Sequence, residues 1–347
     1  MVTPLRVLQT DRIMDRYEDV LTAGGVHHWT FASGWSPERQ IEALRTADVL
    51  VAASMTTEMA RAAGRLRLVH VTGAGYDKIP LANLPAGVQV VNTFHHGRSI
   101  AEYVLAGAVL LARRVPRSDA EFRRGVWRSV LTDPAVPLGP TLHGRMVGLI
   151  GLGEIGTEVA RLAGAFGARV QAVRARPSAA GPAGVELAWV GGIDELDHLL
   201  STSDVVVVTV PLTDATRGLL GEKQYRLMRP DALLINVARG PILDEAATYA
   251  ALADGTIAGA ALDVWWGHPR EGKPPASHDF SALPNVLLTP HQAGHTDDTF
   301  RGRAQDIAAA IDALAAGRPL RNVVHSAELV GYQDQGADHG DHDRGDA

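Results

Sequence analysis

The sequence contains no cysteine, which removes disulfides, thiolate nucleophiles and thiolate-bound metals from consideration. Aromatic residues are sparse, at 5% of 347 positions. Positive charge is not in surplus either: 33 Lys and Arg stand against 39 Asp and Glu, a formal net charge of −6. Such a chain lacks the basic footprint that binding a phosphate backbone requires, so nucleic acid is not an expected partner. No apolar run is long enough to cross a bilayer, and no signal-peptide hydrophobic region stands near Met1. The expectation is therefore a cytoplasmic protein with no membrane partner. His95 and His96 are adjacent but have no evident third ligand, so no metal site is expected. The stretch from about Gly336 to Ala347 is Asp, His and Gly with nothing to bury; it reads as a disordered, solvated tail, with loose metal chelation as the other reading.

What the chain does have is enough apolar sequence for two cores. Hydrophobic residues make up 46% and charged residues 21%, the balance of a soluble globular protein of two domains. The most informative stretch is Met146–Ile150 followed by Gly151-Leu152-Gly153-Glu154-Ile155-Gly156. The apolar run reads as a buried parallel strand. After the glycines, Ile155, Val159, Leu162 and Phe166 recur at helical spacing. In a strand–turn–helix the first glycine permits the turn, the second lets a pyrophosphate approach, and the third lets helix and strand pack closely. The helix N-terminus then offers N–H groups to the phosphates. A lone GxGxxG is also compatible with a plain glycine-rich turn; its flanking strand and helix favour dinucleotide binding.

Before this turn, Leu5–Gln9, Val49–Ala53, Leu68–Thr72 and Val88–Asn92 read as short buried strands, with helical stretches such as Pro37–Thr46 between them, which predicts a parallel α/β domain. Two strand-end loops stand out. Thr72-Gly73-Ala74-Gly75-Tyr76-Asp77 has paired glycines whose backbone N–H groups could hold a carboxylate, or simply make a tight turn. Phe94-His95-His96-Gly97-Arg98-Ser99 places three potential cations before a helix predicted from Ile100 to about Arg114. A Pro- and Arg-rich connection from Val115 to His143, containing Trp127, reads as a crossing arm that packs on another subunit. After the glycine turn, Val170–Val173, Val205–Val210, Leu233–Val237, Ile257–Val264 and Val286–Thr289 are spaced for a doubly wound parallel sheet. Its second strand ends in Arg174-Ala175-Arg176, where an NAD site usually has an acid. The arginines suit the 2′-phosphate of NADP, or are solvated strand-end charges. Asp298 to about Leu314 reads as a final amphipathic helix.

Two further strand ends carry candidate chemistry. Asn236-Val237-Ala238-Arg239-Gly240 puts a guanidinium where it could clamp a carboxylate bidentately, and Thr289-Pro290-His291-Gln292-Ala293-Gly294 puts a proton-transfer group past the last strand. Singly, each also has a plain reading, as a surface ion pair and a turn residue.

Taken in order, Gly73-Ala74-Gly75-Tyr76-Asp77, Ser99-Ile100-Ala101-Glu102, the Gly151 turn, Val210-Pro211-Leu212-Thr213, Asn236-Val237-Ala238-Arg239-Gly240, Ala261-Leu262-Asp263-Val264 and Thr289-Pro290-His291 make the chain resemble the D-isomer-specific 2-hydroxyacid dehydrogenase family over nearly its whole length. The resemblance implies two Rossmann-like or flavodoxin-like parallel-sheet domains with the active site in the cleft between them. Residues 1–100 with 297–330 would form a discontinuous substrate-binding domain. Residues 101–296 would form the NAD(P)-binding domain, with the interdomain helix and the arm of a homodimer. The implied enzyme interconverts a 2-oxo acid and a D-2-hydroxy acid with NADP or NAD, NADP being favoured by the arginines. Arg239 would bind the substrate carboxylate and His291 would donate the proton. Gly151, Gly153, Glu154, Ile155, Gly156, Arg174, Arg176, Pro211, Thr216, Ala238, Asp263 and Gly294 would hold the cofactor, with Asp263 at the nicotinamide carboxamide. Ala74, Gly75, His96 and Arg98 would face substrate.

Two departures bear on this. The family usually has a glutamate immediately before the proline of its Asp-Val-Phe-x-x-Glu-Pro segment, and here His268 stands there. A neutral His268 can orient His291 but supplies no charge to favour imidazolium; Glu271 is the nearest replacement. The loss leaves formate- or phosphite-type oxidation of a small anion, and a non-enzymatic NAD(H)-sensing co-repressor-like protein, as alternatives. The second departure is the cationic loop of His95, His96 and Arg98, which suggests a substrate with a second anionic group (carboxylate, phosphate or phosphonate), or else residues facing solvent or a partner subunit.

Overall fold

In a computed structural model, residues 3–179, 181–267 and 272–326 are described. The chain divides into two compact units, one running through His95 and resuming at Thr296, the other spanning His96–His295.

The first unit begins with five strands, β1 (Arg6–Gln9), β2 (His28–Phe31), β3 (Val49–Ala52), β4 (Leu68–Val71) and β5 (Gln89–Val91). Neighbours among them pair in parallel. Helices start where the sequence supplies caps: Ser36 accepts from Arg39 N–H ahead of Pro37–Leu44, and Thr56 accepts from Met59 N–H ahead of Thr57–Ala62. Alternate residues of each strand serve opposite faces. Leu8, Leu50, Val69 and Val90 pack in one core, while Val7, Val49, Val51, Leu68 and Val91 pack in another.

Among the described residues the second unit has seven strands, β6 (Met146–Ile150), β7 (Arg169–Val173), β8 (Trp189–Gly191), β9 (Val205–Val208), β10 (Leu233–Asn236), β11 (Gly259–Leu262) and β12 (Val286–Leu288). They are all parallel, in the order β12-β11-β10-β9-β6-β7-β8. Helices cover both faces, so the central strands are buried throughout and read as unbroken Val, Leu and Ile runs. Val147, Leu149, Val205, Val207 and Ile235 face the core under the helix Gly97–Ala112; Ile150, Val206, Val208, Leu234 and Leu262 face the opposite core.

The chain then returns to the first unit. Thr296 caps the helix Asp297–Ala315, whose Phe300, Ala304, Ile307 and Ile311 close the second core of the first sheet. The last strand, β13 (Val323–His325), adds antiparallel to β5, giving the order β13-β5-β4-β3-β1-β2.

Several sequence expectations are corrected. The strands β2, β8 and β13 were not expected; all three are edge strands of three or four residues, too short to carry a pattern. The predicted helix from Pro37 stops at Leu44, and the one predicted from Ile100 begins at Gly97. The connection from Val115 is helical as far as Arg123. Pro116 sits in its first turn, where a proline costs nothing, and Arg117–Glu121 and Asp119–Arg123 pair one turn apart. Among the described residues no helix is long and apolar enough to cross a membrane, and no cluster of three or more metal-ligating side chains occurs.

Candidate active site

In a parallel sheet all strands end at the same edge, so residues that follow adjacent strands are brought together whatever their separation in sequence. At this edge of the second sheet stand Gly151 after β6, Pro211 after β9, Arg239 after β10, Asp263 after β11 and His291 after β12. Adjacent strands lie about 4.8 Å apart, which sets the Arg239 and His291 loops about 10 Å apart across the edge.

The glycine turn is built as its sequence requires. Gly151 has φ +105°, and a Cβ there would stand 2.9 Å from the Thr209 hydroxyl oxygen. Thr209 Oγ1 donates to the carbonyls of Ile150 and Gly151, at 3.2 and 2.9 Å, fixing the turn to the strand beside it. A Cβ on Gly156 would run into the Gly151 carbonyl oxygen, so the helix Glu154–Ala165 can lie this close only with glycine. Gly153 is exposed, has open space where a Cβ would be, and brings no side chain to cap the helix. The three glycines thus form a cradle with an open mouth at a helix N-terminus, which fits a dinucleotide pyrophosphate. Glu154 is exposed and Ile155 half-buried in the first turn.

After β7, Arg174 turns its guanidinium onto the carbonyls of Pro177 (3.2 Å) and Ala179, shaping the loop that carries the exposed Arg176. After β9, the Thr216 hydroxyl donates to Pro211 O at 2.7 Å and accepts from Thr213 N–H at 2.8 Å, closing a compact turn that leaves Pro211 exposed.

Arg239 is half-buried, and the turn that presents it is made by Asn236. That side chain, fully buried, accepts from Ala238 N–H at 3.1 Å and donates to Arg239 O at 3.0 Å. A Cβ on Gly240 would collide with the Trp265 backbone, so the Arg239 turn abuts the segment following Asp263. Arg239 Nη1 donates to the carbonyl of buried Ala238 at 2.8 Å.

Asp263, 1% exposed, is the clamp of the His291 loop. Its carboxylate accepts from the Thr289 hydroxyl at 2.6 Å and from the N–H groups of Gln292 and Ala293 at 2.8 and 2.9 Å. The Thr289 proton is committed to that carboxylate, so the Tyr103 hydroxyl, 2.6 Å away, donates to Thr289 in turn. Burial pushes the Tyr103 hydroxyl up to about 12, keeping it a donor. His291 is exposed, with φ +58°, and its ring lies parallel to that of His295, centroids 6.3 Å apart. A Cβ on Gly294 would stand 3.3 Å from that of His96, which places this buried histidine against the same loop. His268 and Glu271 lie outside the described residues, as does the stretch from Gly336.

In the first unit, Asn92 Nδ2 donates to Ala74 O at 2.7 Å. The trans peptide then aims Gly75 N–H the opposite way, in an exposed loop. The expectation of a strongly cationic Phe94–Ser99 loop needs correction. His95 contacts Asp306 at 2.9 Å, and Arg98 pairs with Glu102 one turn along its own helix, so neither is a bare charge. Sequence reasoning also passed over Tyr103, Thr289 and His295, and Arg303, whose Nε donates to Phe94 O at 2.9 Å. None has a local motif; only the Thr-Pro-His stretch pointed toward Thr289.

Fold and loops define an α/β protein with a dinucleotide-binding type of glycine turn on a doubly wound sheet. The chain belongs to the D-isomer-specific 2-hydroxyacid dehydrogenase family, whose NAD binding domain matches residues 105–293. It is similar to D-3-phosphoglycerate dehydrogenase of Methanocaldococcus jannaschii, 32% identical over 334 residues, 94% of this chain and 60% of that protein. It is also similar to glyoxylate reductase of Korarchaeum cryptofilum, 35% identical over 295 residues, 82% of this chain and 85% of that one. Among solved structures, an acyclic imino acid reductase in complex with NADPH and D-Arg superposes with TM-score 0.75 at 25% identity, covering 92% of this chain and all of that one. The chain spans about 60% of the length of the D-3-phosphoglycerate dehydrogenases it matches.

Proposed function

We propose that the protein is an NAD(P)-dependent oxidoreductase that interconverts a 2-oxo acid and a D-2-hydroxy acid. The observation that carries the reading is the succession of Arg239, Asp263 and His291 after three adjacent parallel strands, with the His291 loop clamped by Asp263. Gly151, Gly153 and Gly156 cradle the pyrophosphate, Pro211, Ala238 and Gly294 line the nicotinamide side, and Asp263 uses its remaining acceptor capacity for the carboxamide. The cofactor supplies or takes the hydride. Arg239 binds the substrate carboxylate and polarises the carbonyl. His291 gives its ring proton to the carbonyl oxygen during reduction and takes it back during oxidation.

NADP is favoured over NAD, because the second strand of the sheet is followed by Arg174 and Arg176 and no acid, and a guanidinium suits a 2′-phosphate. With Arg174 holding its own loop, Arg176 is the group that meets the phosphate. The NADPH-bound structural neighbour fits this reading. The protein works as a homodimer. Phe122, Trp127, Leu131 and Leu138 on the arm are 61, 71, 91 and 82% exposed, an apolar surface that a second copy would cover.

The experiment is absorbance at the reduced-nicotinamide band while NADPH or NADH meets 2-oxo acids from glyoxylate to dicarboxylates. Oxidation of NADPH by one of them, abolished in His291→Ala with cofactor binding retained, is the expected result. Silence across all acids with both cofactors overturns the reading.

A further inference from the structure

The helix Gly97–Ala112 lies along the His291 loop and over the two strands that lead to it, all within the unit His96–His295. One stripe of the helix, Ile100, Tyr103 and Gly107, faces them. A Cβ on Gly294 in the loop would stand 3.5 Å from the Ile100 side chain. A Cβ on Gly107 would stand 3.4 Å from that of Ala261 in β11 and 3.8 Å from Leu287 in β12. Half-buried Tyr103, between these two contacts, reaches the end of β12 and brings its hydroxyl to 2.6 Å from Thr289 Oγ1. Thr289 is where the tethers of the loop meet. Its hydroxyl donates to Asp263 Oδ1 at 2.6 Å, and its carbonyl accepts from the Trp265 indole N–H at 2.9 Å. The Asp263 carboxylate in turn takes the N–H groups of Gln292 and Ala293. A threonine hydroxyl has one proton and turns freely about its C–O bond unless something fixes it. The Tyr103 proton occupies a lone pair of that oxygen and so keeps the Thr289 proton aimed at Asp263. Burial, which pushes the Tyr103 pKa up to about 12, keeps this donor in place near neutral pH.

We propose that Tyr103 is a positioning residue for the reaction, holding the loop that carries His291 through Thr289 and Asp263. The inference rests on the 2-oxo acid reading, in which His291 is the proton donor. The relay Tyr103–Thr289–Asp263–Gln292/Ala293 fixes the backbone on both sides of His291, from the residue two before it to the residue two after. Tyr103 thus acts on the imidazole through the shape of the turn.

The test compares the unaltered protein with Tyr103→Phe, Thr289→Ser, Thr289→Val and the double variant Tyr103→Phe/Thr289→Val. Steady-state reduction of glyoxylate and of 2-oxoglutarate is followed with NADPH, and thermal unfolding reports whether each fold is retained. Tyr103→Phe keeps the ring and loses one hydroxyl, so kcat is expected to fall about 3- to 10-fold. The KM values for NADPH and the acid stay within about twofold, since neither ligand loses a contact. Thr289→Ser, which keeps the hydroxyl, retains kcat, and Thr289→Val loses at least as much as Tyr103→Phe. The double variant is no slower than Thr289→Val, because Tyr103 acts only through that hydroxyl. A kcat for Tyr103→Phe within about 1.5-fold of the unaltered protein, or a further fall when it is added to Thr289→Val, overturns the inference. Hydrogen exchange at the Gln292 and Ala293 amides reads the same tether without turnover, and is expected to quicken about 3- to 10-fold in Tyr103→Phe. If neither acid is reduced, exchange decides alone: quicker exchange upholds the tether while the reductase reading loses support, and unchanged exchange overturns the inference.

Discussion

Asp263 and His291 are held to each other through the backbone. His291 N–H donates to the Asp263 carbonyl at 2.8 Å, while the Asp263 carboxylate takes the N–H groups of the next two residues, Gln292 and Ala293. His291 keeps a left-handed conformation, φ +58°, which costs a non-glycine residue about 1 kcal/mol or more. The surrounding hydrogen bonds are what offset that strain, so the imidazole is positioned by a carboxylate that need not touch it.

Asp263→Asn tests the clamp. The carboxamide offers one oxygen where the carboxylate offers two, and its NH2 group faces N–H or O–H donors whichever way it is turned. At least one buried donor is left without its acceptor, which costs about 1–3 kcal/mol. Urea denaturation is expected to show that loss, and kcat to fall because the His291 turn loses its register. Unchanged stability would mean that the loop is held by its own turn alone.

Gly156→Ala tests the cradle. The added Cβ meets the Gly151 carbonyl oxygen, so the helix must withdraw from the turn whose N–H groups face the pyrophosphate. NADPH affinity, read by fluorescence titration, is expected to fall by about tenfold or more. Gly164→Ala on the same helix is the control. A Cβ there has nothing within 4 Å, and removing a helical glycine stabilises by about 0.5–1 kcal/mol. Equal losses in both variants would show a helix-wide effect rather than a local collision.

Leu131→Glu with Leu138→Glu tests the arm. Each side chain is more than four-fifths exposed in the single chain, so the charges are tolerated by the fold and harmful only to an apolar interface. Sedimentation is expected to move from two-chain to one-chain mass. A one-chain mass in the unaltered protein removes the homodimer from the proposal.

The sequence made legible those parts whose physics is local. Val205–Val208 and Leu233–Asn236 are buried on both faces, so they stand out as apolar runs, and the Gly151 turn declares itself because each glycine answers a separate steric need. The edge strand His28–Phe31 has a mixed burial pattern and gives no such signal. The tethers of the site were hidden for a different reason. Tyr103 meets Thr289 across 186 positions and Thr93 meets Asp306 across 213, and no local pattern encodes such partners. The same holds for His95, whose three-cation loop reads as open positive charge in sequence, whereas Asp306, 211 positions on, stands beside it in the fold.

His70 is expected to make the fold less stable in acid. It lies inside β4, 2% exposed, with Nδ1 donating to Val71 O at 3.1 Å. Burial pushes its pKa down to about 4, against smaller upward pulls from the Val71 carbonyl and Asp306. Above the unfolded value of 6.5 the ring is neutral in both states and imposes no cost. As pH falls from 6.5 toward 4, the unfolded chain binds a proton that the folded chain refuses, so stability drops by about 1.4 kcal/mol per pH unit. The total is about 3 kcal/mol, and below that window the folded ring protonates too and the loss stops growing. Urea denaturation between pH 7.5 and about 4.5 is expected to show this decline. His70→Gln keeps a donor for the Val71 carbonyl but has no proton to gain, so its stability should be flatter over the same range, even if lower at neutral pH. Parallel curves for the two proteins would place the acid sensitivity in other groups.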